Sequence, residues 1–204
     1  DTGIYNAMNK GVRMASGEYL LFMNSGDLLA DDLVMMKMNK MCTGEDIVIG
    51  HINFVSGDGT ITKDFGLKNN QISLFSFYLY GISHQACFIK RVLFDKCMYD
   101  ESLKINGDWK FFLETVIIKN ASVKVVPVIV ADYDGTGISS TNIELLQAER
   151  EATLSEVLPE RIASDYRKVI PYYYEVYRIE WLLKHKFFYK IYRFITSLGM
   201  KIMR

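Results

Sequence analysis

Apolar residues along this chain recur alternately at helical and at strand spacing. In residues 4–16, IYNAMNKGVRMAS, the positions Ile4, Ala7, Met8, Val12 and Ala15 follow the helical period and predict a helix that stops at Gly17. A short buried strand is expected over 18–23, and Asp31 or Asp32 caps a helix through Met41 whose apolar content is Leu33, Val34, Met36, Met38 and Met41. Residues 46–55, DIVIGHINFV, predict the next strand, which Ser56-Gly57-Asp58-Gly59 turns into a hairpin with 60–63. ISHQACFI at 82–89 predicts a further strand, 91–96 a short helix, and 109–119 a longer helix capped by Asn106 or Asp108. KVVPVIVA at 124–131 is β-branched, and Pro127 marks it as an edge strand or an interrupted one, because proline offers no N–H to a ladder.

Strands therefore alternate with helices to about residue 135, the pattern of a layered α/β domain. Beyond Thr141 the pattern is helical throughout, with breaks expected at Pro159 and Pro171. The expected organisation is an α/β portion over 1–141 and a helical extension over 142–204.

Composition sharpens this only in places. The 204 residues are 50% hydrophobic and 24% charged, as in a folded chain with a sizeable core. Lys plus Arg equal Asp plus Glu at 24 each, which removes any global electrostatic reason to expect nucleic acid as a partner. The balance is local, however: from Arg178 to Arg204 seven basic residues face one acid, Glu180. Cys42, Cys87 and Cys97 have neither CxxC spacing nor an even count, so no disulfide framework or zinc knuckle is suggested and a cytoplasmic setting is the expectation. No run approaches the roughly 20 apolar residues of a membrane span.

Four polar clusters each border a hydrophobic element: Asp1-Thr2-Gly3 with Asn6 and Asn9, Asn24-Ser25-Gly26-Asp27, Ser83-His84-Gln85, and Asn106-Gly107-Asp108-Trp109. Each has a plain structural explanation. The second is a strand running into a turn, Asn9 a helix-surface residue, His84 a satisfied core histidine, Asp108 a helix cap, and Trp109 a core aromatic. Each also has a chemical one, since a carboxylate at the carboxyl end of a strand lies where open α/β sheets bind ligands.

In order, the clusters resemble a known family. DTGIYNAMNKGVRMASGEYLLFMNSGD is similar to the central motif of the family 2 inverting glycosyltransferases of the GT-A fold, particularly bacterial members that build surface polysaccharides, and HQACFIKRVLF, YDESLKINGDWKFFLE and DYDGTGISS resemble its successive downstream motifs. The resemblance covers residues 1–141. It implies a Rossmann-like, mostly parallel sheet flanked by helices, here N-terminally truncated because the strands that hold base and ribose in the family precede the point where this sequence starts. It further implies sugar transfer from a nucleotide-sugar donor to a glycan or lipid-linked acceptor.

By position, Asp108 matches the family's catalytic base and Asp27 its metal-contacting aspartate, with Mg²⁺ or Mn²⁺ as the cofactor. Asn24 and Gly26 stand where the DxD pattern often has Asp, so metal would be held mainly by Asp27 and the nucleotide's phosphates. Asp1, Tyr5, Asn9, Asn24 and Ser25 match positions near the nucleotide-sugar, and His84, Gln85 and Trp109 positions beside donor and acceptor. Two rival readings are a nucleotidyltransferase of similar layered fold and a non-catalytic fragment that associates with membranes or oligomerises.

The latter draws on the tail. Val176, Ile179, Leu183, Phe187, Ile191, Phe194, Leu198 and Ile202 step by three or four residues and predict one helical stripe, flanked by Lys186, Arg193 and Arg204, with Lys190 and Lys201 at its edge. A basic amphipathic helix over 176–204 suits an anionic surface, here the inner face of the cytoplasmic membrane; packing on the catalytic domain or in a homo-oligomer is the other use of such a stripe.

Overall fold

The computed structural model describes residues 1–64 and 72–202, and the side chains of 63, 64, 173, 174, 176, 177, 179, 180 and 198–202 are outside the description. The elements in chain order are α1 (Ile4–Met14), β1 (Tyr19–Leu20), β2 (Leu28–Leu29), α2 (Val34–Met41), β3 (Ile47–Val55), β4 (Ile61–Asp64), α3 (Leu74–Tyr80), β5 (Cys87–Lys90), α4 (Gly107–Phe112), β6 (Val123–Asp134), α5 (Ile138–Thr141), α6 (Ile143–Val157), α7 (Glu160–Val169), α8 (Tyr173–Lys184) and α9 (Lys186–Ile202). Packing divides the chain into two units, 1–157 and 158–204. The change to helical character at 141 thus falls earlier than the packing boundary, because α6 belongs with the sheet unit.

The sheet runs β1-β5-β3-β6-β2, with β4 added to β3. The expectation of a mostly parallel sheet is corrected to a mixed one: β3 and β6 are parallel, and the other pairings among the described strands are antiparallel. A parallel pair needs a crossover, which the helices between β3 and β6 provide, whereas β3 and β4 are joined by a tight hairpin. In that hairpin Ser56 N donates to Thr60 O at 2.9 Å and Gly59 takes φ +82°, a left-handed conformation that favours glycine.

Pro127 does interrupt its strand, on a stretch that β2, paired only at Ala131 and Asp132, does not reach. β6 lies between β3 and β2, pairs Ile49 with Val125, and resumes by pairing His51 with Ile129 after a register shift. The irregularity accommodates the missing N–H, and Gly50 sits opposite it where a Cβ would come within 2.5 Å of Val130 Cγ2.

Val34 and Met38 of α2 pack on Val48, Ile52, Phe88, Val126 and Val130 of the sheet to form the main core. Fully burying a side chain of this size contributes roughly 1.5–3 kcal/mol. On the side toward α1, Phe94 stacks on Phe111 with ring centroids 4.6 Å apart, and Tyr99 meets both edgewise or tilted. No helix among the described residues is long and apolar enough to cross a membrane.

Three expected elements take other forms, one being the short helix at 91–96, which is a 3-10 segment over Arg91–Asp95. Residues 84–86 are a 3-10 turn, closed by Ala86 N donating to Ser83 O at 3.0 Å, and only 87–90 is strand. The predicted helix at 109–119 begins at Gly107 and passes into a π-helical turn over Leu113–Ile118. Asn106 occupies its N-cap position without a side-chain cap bond, because its amide instead donates to Leu146 O.

Candidate functional site

The parallel pairing of β3 and β6 brings both carboxyl ends to one edge of the sheet. There a cavity of about 520 Å³ is lined by Tyr5, Asn24, Ser25, Asp27, His84, Gln85 and Asp108, with Phe54, Tyr133 and Asp134 from the strand ends and Lys104 and Ile105 from the loop before α4. Its size suits a small-molecule ligand.

A chain of hydrogen bonds runs along one wall. Asp27 Oδ2 accepts from Asn24 N at 3.0 Å, and Asp27 Oδ1 accepts from Asp134 N at 3.0 Å, tying the turn after β1 to the end of β6. Gly26 allows this turn, with φ +99° and Asp134 Oδ2 only 2.5 Å from where a Cβ would stand. Asn24 Nδ2 meets His84 Nε2 at 3.2 Å, and His84 Nδ1 meets Asp108 Oδ2 at 2.6 Å. With Nε2 accepting from the amide, Nδ1–H is the donor to the carboxylate, a tautomer assigned from its partners. Tyr5 OH lies 2.9 Å from Asp108 Oδ1 and also contacts Ile105 O, so its single proton is shared between two acceptors.

Burial pushes the Asp108 pKa up, but the electrostatic pull and hydrogen bond of His84, with those of Tyr5 and the Trp109 backbone, outweigh it and hold the carboxyl below its ordinary value. Its place in the first turn of α4 acts in the same direction. Asp108 is therefore an ionised carboxylate at neutral pH, 17% exposed on the cavity wall. Tyr5 shifts the other way, raised first by burial and then by the charge of Asp108, and stays a protonated donor.

The remaining expected residues lie off the cavity lining. Asp1 is exposed and pairs with Lys10 at 2.7 Å. Asn9 is 1% exposed, its amide donating to Tyr99 O and Glu101 Oε1 and accepting from Tyr99 N, which latches α1 to the segment before α4. Trp109 is buried, stacked on Phe77 at 5.0 Å and beneath the Arg150 guanidinium at 5.4 Å.

Glu149 of α6 escaped the sequence reading. Its carboxylate accepts the backbone N–H groups of Lys104, Ile105 and Asn106 at 2.7, 2.9 and 2.9 Å, fixing the loop that leads into Asp108. A glutamate within a helix of mixed polarity gives no local signal of such a role. Asp134 and Tyr133 were within reach, since both lie in the DYDGTGISS motif.

For a divalent cation, Asp27 and Asp134 supply hard oxygen donors from adjacent positions, and among the described residues no group of three or more His, Cys, Asp or Glu could hold a metal ion. That donor set fits a cation completed by ligand oxygens such as phosphates.

Residues 1–96 match the model of glycosyl transferase family 2. Over 153 residues, 70% of this chain and 55% of the relative, the chain is 29% identical to a PGL/p-HBAD biosynthesis glycosyltransferase of Mycobacterium bovis (strain BCG / Pasteur 1173P2). It is 27% identical over 156 residues to an uncharacterized glycosyltransferase of Mycobacterium tuberculosis (strain ATCC 25618 / H37Rv), covering 69% of this chain and 53% of that protein. The chain thus spans about half the length of the curated relatives it matches. Among solved structures it is similar to S. aureus TarS 1-349 in complex with UDP-GlcNAc, with a TM-score of 0.56 and 18% identity over 79% of this chain and 50% of that one. Motif order, the mixed sheet with its ligand edge and these likenesses converge: residues 1–96 are similar to glycosyl transferase family 2, and the chain carries the GT-A fold.

Proposed function

We propose that this chain serves a metal-dependent inverting glycosyltransferase that moves a sugar from a nucleotide-sugar to a glycan or lipid-linked acceptor in surface polysaccharide synthesis, working in the cytoplasm. The observation that carries the reading is the hydrogen-bonded chain Asp27–Asn24–His84–Asp108–Tyr5 along one cavity wall, which joins the carboxylate proposed to hold the cation to a carboxylate held ionised.

Asp108 accepts the proton of the acceptor hydroxyl as that oxygen attacks the anomeric carbon. The bond from that carbon to the nucleoside diphosphate breaks on the opposite face, and the configuration inverts. Tyr5 and His84 orient the carboxylate by occupying its other lone pairs. General-base assistance of this kind contributes on the order of 10²- to 10⁴-fold in rate. A bound Mg²⁺ or Mn²⁺ would be held by Asp27, with Asp134 beside it, and would neutralise charge on the departing diphosphate. UDP-GlcNAc, the ligand named for the TarS complex, supports a nucleoside-diphosphate sugar as the donor class.

The test is transfer and nucleotide-sugar hydrolysis by the full-length protein with Mn²⁺ or Mg²⁺, comparing Asp27→Ala with Asp108→Asn. Both variants are expected to stay folded and to lose transfer, and Asp27→Ala also to lose metal-dependent nucleotide binding measured by calorimetry. Full activity in either variant removes that residue from its role.

A further inference from the structure

The tail is two helices, not one stripe. α8 ends at Lys184 and α9 starts at Lys186, with His185 between them at φ −115° and ψ 82°. The expected stripe is therefore corrected: its residues from Phe187 onward share a helix, and Leu183 belongs to the other. Of the stripe and its flanks, the side chains of Val176, Ile179, Leu198, Lys201 and Ile202, and the whole of Arg204, lie outside the described residues.

At about 100° of rotation per residue, Phe187, Phe188, Ile191, Phe194 and Ile195 of α9 cover an arc about 120° wide. All five are exposed, Phe187 at 70%, Phe194 at 67% and Ile195 at 63%. Lys186, Lys190 and Arg193 occupy a neighbouring arc and are exposed as well. No acidic residue follows Glu180, so nothing in this helix offsets their charge.

We infer that α9 is an interfacial helix that lies on an anionic lipid bilayer, its aromatic and aliphatic face sunk at the headgroup boundary and its lysines and arginine on the phosphates. Charge favours lipid over a second copy of this chain: an antiparallel pair of α9 helices face to face would bring both basic arcs to one rim, whereas an anionic leaflet complements them. Three bulky aromatics on the apolar arc match an interfacial mode of binding, and the helix is not apolar enough to span. The surface of this kind available to a cytoplasmic protein is the inner leaflet of the cytoplasmic membrane, where lipid-linked acceptors would be reached.

The experiment is co-sedimentation of the full chain with vesicles of phosphatidylcholine alone and of phosphatidylcholine with phosphatidylglycerol, together with light scattering of the free protein. The wild type should bind the anionic vesicles, release as salt rises, and bind neutral vesicles at least 10-fold less. At about fivefold in partition per basic residue, Lys186→Gln/Lys190→Gln/Arg193→Gln should lower binding by about 100-fold. Phe187→Ser/Phe194→Ser should lower it comparably, with circular dichroism unchanged in both variants. Equal binding to the two vesicle types, or binding unaffected by either variant, overturns the inference. So does a wild-type dimer that Phe187→Ser/Phe194→Ser converts to monomer without a change in vesicle binding. Loss of transferase activity plays no part in the readout, so failure of the catalytic reading leaves this one standing.

Discussion

His84 Nδ1 stands 2.6 Å from Asp108 Oδ2, and the two residues, far apart in sequence, form the centre of the candidate site. The contact gives His84 a defined task. It holds the carboxylate in place and, with Tyr5, keeps it ionised against the cost of burial.

The sign of the pH effect follows. A base must be unprotonated, so with Asp108 in its proposed role transfer should be lost as pH falls through the Asp108 pKa, which lies below the ordinary carboxylate value. His84→Gln removes the strongest opposing influence on the burial penalty and should move the acid limb of the kcat/KM profile to higher pH, with kcat lowered by roughly 10-fold or more. An unmoved acid limb would reduce His84 to a packing residue.

Gly107→Ala tests the other oxygen of the same carboxylate. A Cβ there would meet the Tyr5 ring at 2.7 Å, and an aromatic ring locked between α1 and α4 cannot yield as a flexible chain end would. The variant should be destabilised by about 1–3 kcal/mol and should lose transfer more than Tyr5→Phe, which removes only the hydroxyl. Thermal unfolding and initial rates measured together would check both parts.

Glu149→Gln should cost about 2–4 kcal/mol. One amide oxygen can replace part of the carboxylate, but the amide N–H₂ then confronts backbone N–H groups that donate in the wild type. Urea unfolding with an unchanged m-value and a lowered midpoint is the expected outcome, and no shift in midpoint would contradict the geometry.

Acid sensitivity should trace to Asp100. Its pKa is lowered to about 2, first by the hydrogen bond from Lys110 and then by that from Ser102. A carboxylate with a depressed folded-state value contributes stability above its unfolded value of about 3.9 and loses that contribution as pH falls toward 2. Asp100→Asn should therefore cost up to about 2 kcal/mol at pH 7 and close to nothing at pH 2, read from denaturant unfolding at both pH values. An equal loss at both would show that packing, not charge, sets the effect.

Much of the fold was legible because short-range rules govern it. The period in 4–16 predicted α1, the β-branched runs predicted β3 and β6, the Gly-rich turn at 56–59 predicted the hairpin, and Pro159 and Pro171 marked where helices break. Pro127 foretold an interruption, though only the ladder reveals that β6 takes up the proline by a register shift. The 3-10 turn at 84–86 was hidden because the polar Ser83-His84-Gln85 lies between Ile82 and the apolar 86–89, and the whole stretch reads as one strand.

The site divides in the same way. The resemblance in motif order pointed to Asp27 and Asp108, and with them to Asp1, Tyr5, Asn9, Asn24, Ser25, His84, Gln85 and Trp109 as binding residues. That Asp27, His84 and Asp108 share one hydrogen-bonded wall, while Asn9 latches α1 and Trp109 enters the core, depends on contacts between residues that the chain brings together only on folding. Sequence by itself determined where most elements form and which groups are candidates for chemistry, because propensity and periodicity act over a few neighbours. Only the tertiary structure decided strand direction and the contacts of Glu149, because each rests on pairings across tens of residues that no local pattern encodes.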